Sequence, residues 1–463
     1  MKLLPLHIAL VGLSIAFTTV KAERADGNWG TKTLYTPQQT VYTAAPQGYQ
    51  PVFINHVGRH GARHLSSITA DSLLYVVLQM AQTENGLTAT GMRLKQMDSL
   101  LLIVEKGNVS LISETGIEEQ KSIAQRMKQQ FSAVFAQGTQ GIQLSTTKKE
   151  RTKQSAKAFL QGLNLTPNYA IATNYSDMDN LAFYDVAPAY KTFEDEGDWQ
   201  TAFATIQNTE RAKALYSQLP KLFFTDAFIQ KLNSGAIQVK NKNKQECYTT
   251  KHAIDAYFDA CSIFASVQGE IAKAGFAAND LNFSTLVSAV DLETLNTINC
   301  AEDFLLKAAS TNAMGIQVRI AVPLLVNFIN TTDEYINTKK LAANLRFAHA
   351  ETIAPFAALL GITGASEPIE ASQVLNFEKV WKCYEVIPLS ANIQWIIYKG
   401  ESDNDYLVKF MLNEKEVTIN GLSNAGTPFY YKWTEVKAFY LQKLKSLNVT
   451  TTDDMHSYLL KVK

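Results

Sequence analysis

Pro51-Val52-Phe53-Ile54-Asn55-His56-Val57-Gly58-Arg59-His60-Gly61-Ala62-Arg63 decides how the rest of the chain is read. Val52, Phe53, Ile54 and Val57 make Pro51 to Val57 a short apolar strand, which gives way at once to glycines and charges. A buried strand ending in a polar loop is the way an α/β sheet presents a site. Nine of the 43 basic residues are arginine, so Arg-His-Gly-x-Arg arises by chance on the order of once in ten thousand chains of this composition.

The chemistry of these residue types is that of phosphoryl transfer, where a protein positions a reactive nitrogen and neutralises phosphoryl oxygens. A histidine attacks phosphorus when one ring nitrogen is free and the other is held as a donor. Arg59 and Arg63 offer planar forks that match phosphate oxygens, and Gly61 is expected to let the backbone approach the substrate. A second junction of strand and helix occurs at Arg346-Phe347-Ala348-His349-Ala350-Glu351. There His349 can hold a phosphoryl oxygen, Glu351 can protonate a leaving alkoxide, and the N–H groups of a helix beginning near Glu351 can face an anion.

Outward from these two sites, apolar spacing predicts helices between Ala70 and Lys106, broken near Asn85-Gly86 and Thr90-Gly91, and another opening at Ser113 to Gly116. On that helix Ile117, Ile123 and Met127 face inward, and Glu118, Glu119, Lys128 and Gln129 are expected to face water. Gly141 to Ser145 reads as a strand and Glu150 to Leu163 as a helix. Later strands are expected at Leu345 to Ala348, Asn392 to Lys399, Tyr406 to Leu412 and Val417 to Ile419, with a helix over Glu351 to Leu360. Between about 173 and 330 helical stretches dominate, including Ala202 to Leu222 and Ala253 to Ala274. The fold class is therefore α/β: a sheet domain flanked by helices, residues 23–172 and 331–463, with a mostly helical inserted cap domain, 173–330.

Residues 1–22 have the form of a signal peptide, an apolar run from Leu3 to Val20 closed by Val20-Lys21-Ala22, so an exported protein, periplasmic or secreted, is expected. No later apolar stretch has the length of a membrane anchor. The 43 acidic and 43 basic residues cancel, which excludes the broad basic field of a nucleic-acid binder and leaves an anionic substrate to a local pocket. Composition, 46% hydrophobic and 19% charged, is that of a folded chain. Cys247, Cys261, Cys300 and Cys383 allow three disulfide pairings in an oxidising compartment and lack zinc-site spacing, so no metal or other cofactor is expected.

The pair of sites resembles the histidine phosphatase superfamily, in the branch of histidine acid phosphatases and phytases. His349-Ala350-Glu351 is similar to the His-Ala-Glu of multiple inositol polyphosphate phosphatases, where acid phosphatases of the branch usually carry His-Asp. Arg151 with Ser155 to Leu163, Phe183-Tyr184-Asp185 and Met411-Leu412-Asn413-Glu414-Lys415 extend the resemblance over most of the chain. It implies His60 as the phosphohistidine nucleophile, Glu351 as proton donor, and Arg59, Arg63, Arg151 and His349 as phosphoryl ligands. His64, Ala350 and Arg319 are expected as outer substrate contacts, with Lys307 a further candidate. The implied substrate is a small molecule, inositol hexakisphosphate or a lower inositol polyphosphate, with no obligate protein partner. Two other readings stay open: a histidine acid phosphatase acting on sugar phosphates or general monoesters, and a non-catalytic inositol phosphate binder. Catalysis with His60 neutral and Glu351 protonated implies an acid to neutral optimum. One departure is Leu65, where the family usually has a proline that stiffens the loop.

Overall fold

β1 (Gln50–Arg59) runs through the middle of an eight-stranded mixed sheet in a computed structural model that describes residues 29–463 except 67, 137–139, 167–168, 238, 242–243 and 247. The expected signal peptide and Cys247 lie outside the described residues. The other strands are β2 (Gly141–Thr146), β3 (Ile171–Asn174), a separate two-stranded hairpin of β4 (Val239–Asn241) and β5 (Lys244–Glu246), then β6 (Leu341–Ala348), β7 (Asn392–Lys399), β8 (Tyr406–Leu412), β9 (Lys415–Glu416) and β10 (Tyr430–Lys432). Their order is β10-β8-β7-β1-β6-β2-β3, with β9 paired to β8. β1, β6, β2 and β3 are parallel, and β7, β8 and β10 turn antiparallel along the other half.

Side chains alternate between two cores, as the pleat requires. Phe53 and Val57 of β1 join Ile393, Trp395 and Ile397 of β7 on one face, beneath Phe328, Ile353 and Tyr440 from the helices Val322–Thr338, Ala350–Leu360 and Trp433–Ser446. Ile54 joins Ile396 and Tyr398 on the other, beneath Ile123 and Met127 of the Glu114–Gln130 helix and Phe159 of the Glu150–Leu163 helix. The expected α/β class, a sheet between helical layers, is the one observed. Among the described residues no helix is long and apolar enough to cross a membrane.

The helices expected between Ala70 and Lys106 are Ile68–Thr83 and Ala89–Glu105. The first packs against the helix Thr250–Phe264 and the second against Glu210–Phe223, while Val322–Thr338 packs on the sheet through Asn55 and Phe53. Ala202 to Leu222 is two helices, Trp199–Gln207 and Glu210–Phe223, because the Thr209 side chain accepts from Ala212 N–H and caps a new start. Val417 to Ile419 is not a strand. Asn413 and Glu414 adopt left-handed φ of 52° and 60°, turning β8 into a β9 of only two residues. A disulfide joins Cys300 to Cys383, with Cα atoms 5.7 Å apart, and Cys261 is a buried free thiol.

Candidate active site

The parallel register of β1 and β6 sets Arg59 opposite Ala348, so the next residues, His60 and His349, leave the sheet side by side. Their rings lie edge to face with centroids 5.5 Å apart. β2 pairs with the far side of β6, Thr146 opposite Phe347, and therefore delivers Thr147 beside His349. The Glu150–Leu163 helix begins three residues on and supplies Arg151. Three strand ends thus converge, each from a different part of the chain.

His60 is buried, and its Nδ1 lies 2.9 Å from the Gly61 carbonyl. A carbonyl only accepts, so Nδ1 carries the proton and Nε2 keeps its lone pair. Burial, then Arg151, Arg59, His349 and Arg63, holds this ring well below the usual histidine range. His349 is fixed in the opposite tautomer. Arg151 Nη2 donates to Nδ1 at 3.2 Å, so Nε2–H donates to Thr147 Oγ1 at 3.0 Å. Burial, then Arg151, pushes its pKa down to about 3. Both imidazoles are neutral across ordinary pH.

Three guanidinium groups converge on these rings. Burial and then the fields of Arg63 and Arg151 oppose the charge on Arg59, which Glu351 and Asp303 favour, and its pKa falls to about 10. Arg151 is depressed in the same way, by burial and then Arg63. Like charges that depress one another in this way would be relieved by a bound anion. Arg59 Nη1 donates to the carbonyls of Thr31 and, at 2.7 Å, Ile387; Arg63 Nη1 donates to the His64 carbonyl at 2.7 Å.

Glu351 stands in the first turn of the Ala350–Leu360 helix, directly after buried Ala350, and pairs with Lys307 at 3.0 Å. Lys307 closes the Ala289–Lys307 helix and is held from behind by Asp303 at 2.6 Å. Burial alone would raise the Glu351 pKa; Lys307 and then His349 outweigh it and hold the carboxyl well below the usual range. The protonated Glu351 expected from sequence is therefore ionised in this state. Tyr184 lies against His349, centroids 6.2 Å apart, and burial followed by Glu351 keeps its hydroxyl protonated.

Several expectations are corrected. His64, expected as an outer substrate contact, is 3% exposed and enclosed between Glu105 at 3.0 Å and Glu270 at 3.4 Å. Arg319 turns to the C-terminal segment, donating to the Lys463 carbonyl in a cavity of about 640 Å³ that it shares with Asn448, Tyr458 and Lys461. Gly61 brings its backbone against Gly116, where a Cβ would lie 2.5 Å from Gly116 O. Glu119, expected in water, is buried and accepts from Ala62 N–H at 2.8 Å and Ser390 at 2.7 Å. Lys307 does reach the site. Thr147 and Glu119 were not singled out for the site, and Tyr184 only within the Phe183-Tyr184-Asp185 match; for Thr147 the usable signal was its position just past a strand end. Among the described residues no three His, Cys, Asp or Glu side chains are grouped to hold a metal.

A neutral imidazole with a free Nε2, three neighbouring guanidinium groups and a carboxylate are the parts that a phosphoryl-transfer centre of the histidine phosphatase type requires. The model of the histidine phosphatase superfamily (branch 2) matches residues 53–413. The chain is similar to multiple inositol polyphosphate phosphatase 1 of Gallus gallus, 21% identical over 347 residues covering 72% of this chain and 70% of that protein. The Homo sapiens protein of the same name is 22% identical, covering 90% and 87%. In structure it is similar to Bifidobacterium longum multiple inositol polyphosphate phosphatase in complex with inositol hexasulfate, with TM-score 0.77, 23% identity and coverage of 88% and 96%. This chain belongs to branch 2 of the histidine phosphatase superfamily and is a hydrolase of its histidine acid phosphatase family.

Proposed function

We propose that the protein is an exported phosphatase that removes phosphates from inositol hexakisphosphate and lower inositol polyphosphates through a phosphohistidine on His60. The observation that carries the reading is the geometry of His60: Nδ1–H bound to Gly61 O, Nε2 free, and the ring in the field of Arg59, Arg63 and Arg151. The names of the chicken and human relatives and the inositol hexasulfate bound by the B. longum protein support the substrate class. The apolar N-terminal segment and the Cys300–Cys383 disulfide support export.

In this reading Arg59, Arg63, Arg151 and His349 hold the phosphoryl group. Nε2 of His60 attacks phosphorus, the ester P–O bond breaks, and the alkoxide takes a proton from Glu351. Water then attacks the phosphohistidine, giving its proton to the Glu351 carboxylate and releasing phosphate and neutral His60. Because Lys307 keeps Glu351 ionised beforehand, the proton arrives with the substrate as a phosphomonoester monoanion, whose second ionisation lies near pH 6. Activity then belongs to acid and near-neutral solution.

The test is phosphate release from inositol hexakisphosphate, with chelator present, by the mature chain and its His60→Ala variant. Release by the parent and near-complete loss in the variant is expected. If both leave inositol hexakisphosphate untouched while the parent hydrolyses an aryl phosphate, the substrate assignment fails and the enzyme class stands.

A further inference from the structure

Leu65 occupies the place where a proline would stiffen the loop after β1, and its N–H, which proline lacks, donates to Glu105 Oε2 at 2.9 Å. The other oxygen of the same carboxylate lies 3.0 Å from His64 Nδ1. Glu105 ends the Ala89–Glu105 helix and is 2% exposed. Across the ring, His64 Nε2 lies 3.4 Å from Glu270 Oε1, and that oxygen also accepts from Glu114 N–H at 2.7 Å, at the first residue of the Glu114–Gln130 helix. Glu270 comes from the short Gln268–Lys273 helix of the inserted segment. Two neighbouring residues of the catalytic loop are thus gripped by one carboxylate, and a second reaches the same loop from the helical roof. Arg63 is next in line, donating to the carbonyl of His64.

We infer that Glu105 and Glu270, acting through His64, are positioning residues that replace proline rigidity with a carboxylate clamp and hold Arg63 at the transferred phosphate. With a carboxylate on each nitrogen the ring is a double donor: burial opposes its charge, but the bonds to Glu105 and Glu270 raise its pKa to about 9. Glu105→Gln breaks the arrangement without changing its volume, because an amide has one oxygen for two donors and turns an N–H toward the other. The inference rests on the reading of Arg63 as a phosphate ligand.

The experiment is steady-state hydrolysis of 4-nitrophenyl phosphate, with inorganic phosphate as competitive inhibitor, by the full chain and its Glu105→Gln, Arg63→Ala and doubly substituted forms. Glu105→Gln should raise KM and the phosphate inhibition constant about tenfold, from one charged hydrogen bond lost, with a smaller change in kcat. In the Arg63→Ala background the same substitution should add less than about twofold, because coupled groups are not additive. Equal penalties in both backgrounds, or an unchanged inhibition constant in Glu105→Gln, would overturn the clamp and leave Arg63 as a ligand. If Arg63→Ala binds phosphate as the parent does, the ligand reading falls and the clamp with it. Glu270→Gln supplies the same comparison from the roof should Glu105→Gln fail to fold.

Discussion

Lys307→Met removes the cation 3.0 Å from Glu351 while keeping most of the side-chain volume. At that separation two unit charges interact by about 1.4 kcal/mol in water and about 5.5 kcal/mol at an effective dielectric constant of 20. The Glu351 side chain is 34% exposed, so solvent screening places the interaction in the lower part of this range, about 1.4 to 2.7 kcal/mol. That corresponds to about one to two pH units. In the enzyme–substrate complex the proton destined for the leaving group is held against the field of Lys307; without that field it is held more tightly. The alkaline limb of kcat against pH, which reports the complex, should move up by about one to two pH units in Lys307→Met, with a higher KM for a polyanionic substrate. The assay is phosphate release from inositol hexakisphosphate between pH 3.5 and 8, fitted separately for kcat and KM. Stability should change in a matching direction. Since the folded Glu351 pKa is depressed, the stabilisation by Lys307 is present above the ordinary value of 4.5 and fades as pH falls through the folded one; the gap in Tm between parent and variant should narrow in acid. A kcat limb that stays in place, or moves toward acid, refutes the assignment of Glu351 as the proton donor under Lys307 control.

Thr147→Val leaves His349 Nε2–H buried without an acceptor, at a cost of about 1–3 kcal/mol; kcat/KM should fall about tenfold and Thr147→Ser should restore it, which parallel kinetics will show. Gly116→Ala places a methyl group 2.0 Å from the Ala62 carbonyl oxygen, so the chain should lose its cooperative thermal transition in circular dichroism, and a Tm near that of the parent would contradict the packing. Replacing Cys300 and Cys383 together by serine opens a crosslink that spans 83 residues, removing up to about 4.6 kcal/mol on loop-entropy grounds; denaturant midpoints of the two proteins measure it.

The elements that carry the chemistry were the easiest to read. β1 is two residues longer at its C-terminal end than the Pro51–Val57 run, and the Glu150–Leu163 helix and strands β7 and β8 have the expected bounds, because buried runs and amphipathic faces write a strong period into sequence. Arg59, His60, Arg151, His349 and Glu351 are all brought to one place. Long-range pairing was less legible. Lys307 lies on a helix whose local pattern shows only an Asp303 to Lys307 i,i+4 pair, the commonest surface motif, and its approach to Glu351 comes from tertiary packing. His64 read as an outer substrate contact because both its carboxylate partners are remote, 41 residues away at Glu105 and farther at Glu270. β3 has four exposed residues and β10 has three in all, too few and too uniform for alternation to reveal them.

The shared register of β1 and β6 has a consequence for redesign. The two histidines are indexed to each other by adjacent rungs of one ladder, so segments of the joining chain that lie outside β2, the Glu150–Leu163 helix and the site residues can change without altering the distance between them. Much of the remaining span, including the helices from Pro188 to Leu281, adds no strand to the eight-stranded sheet among the described residues. Exchanging those helices with those of a relative, while keeping Glu270 and the Ala289–Lys307 helix, should leave the two histidines in register and so tests whether that segment governs substrate preference.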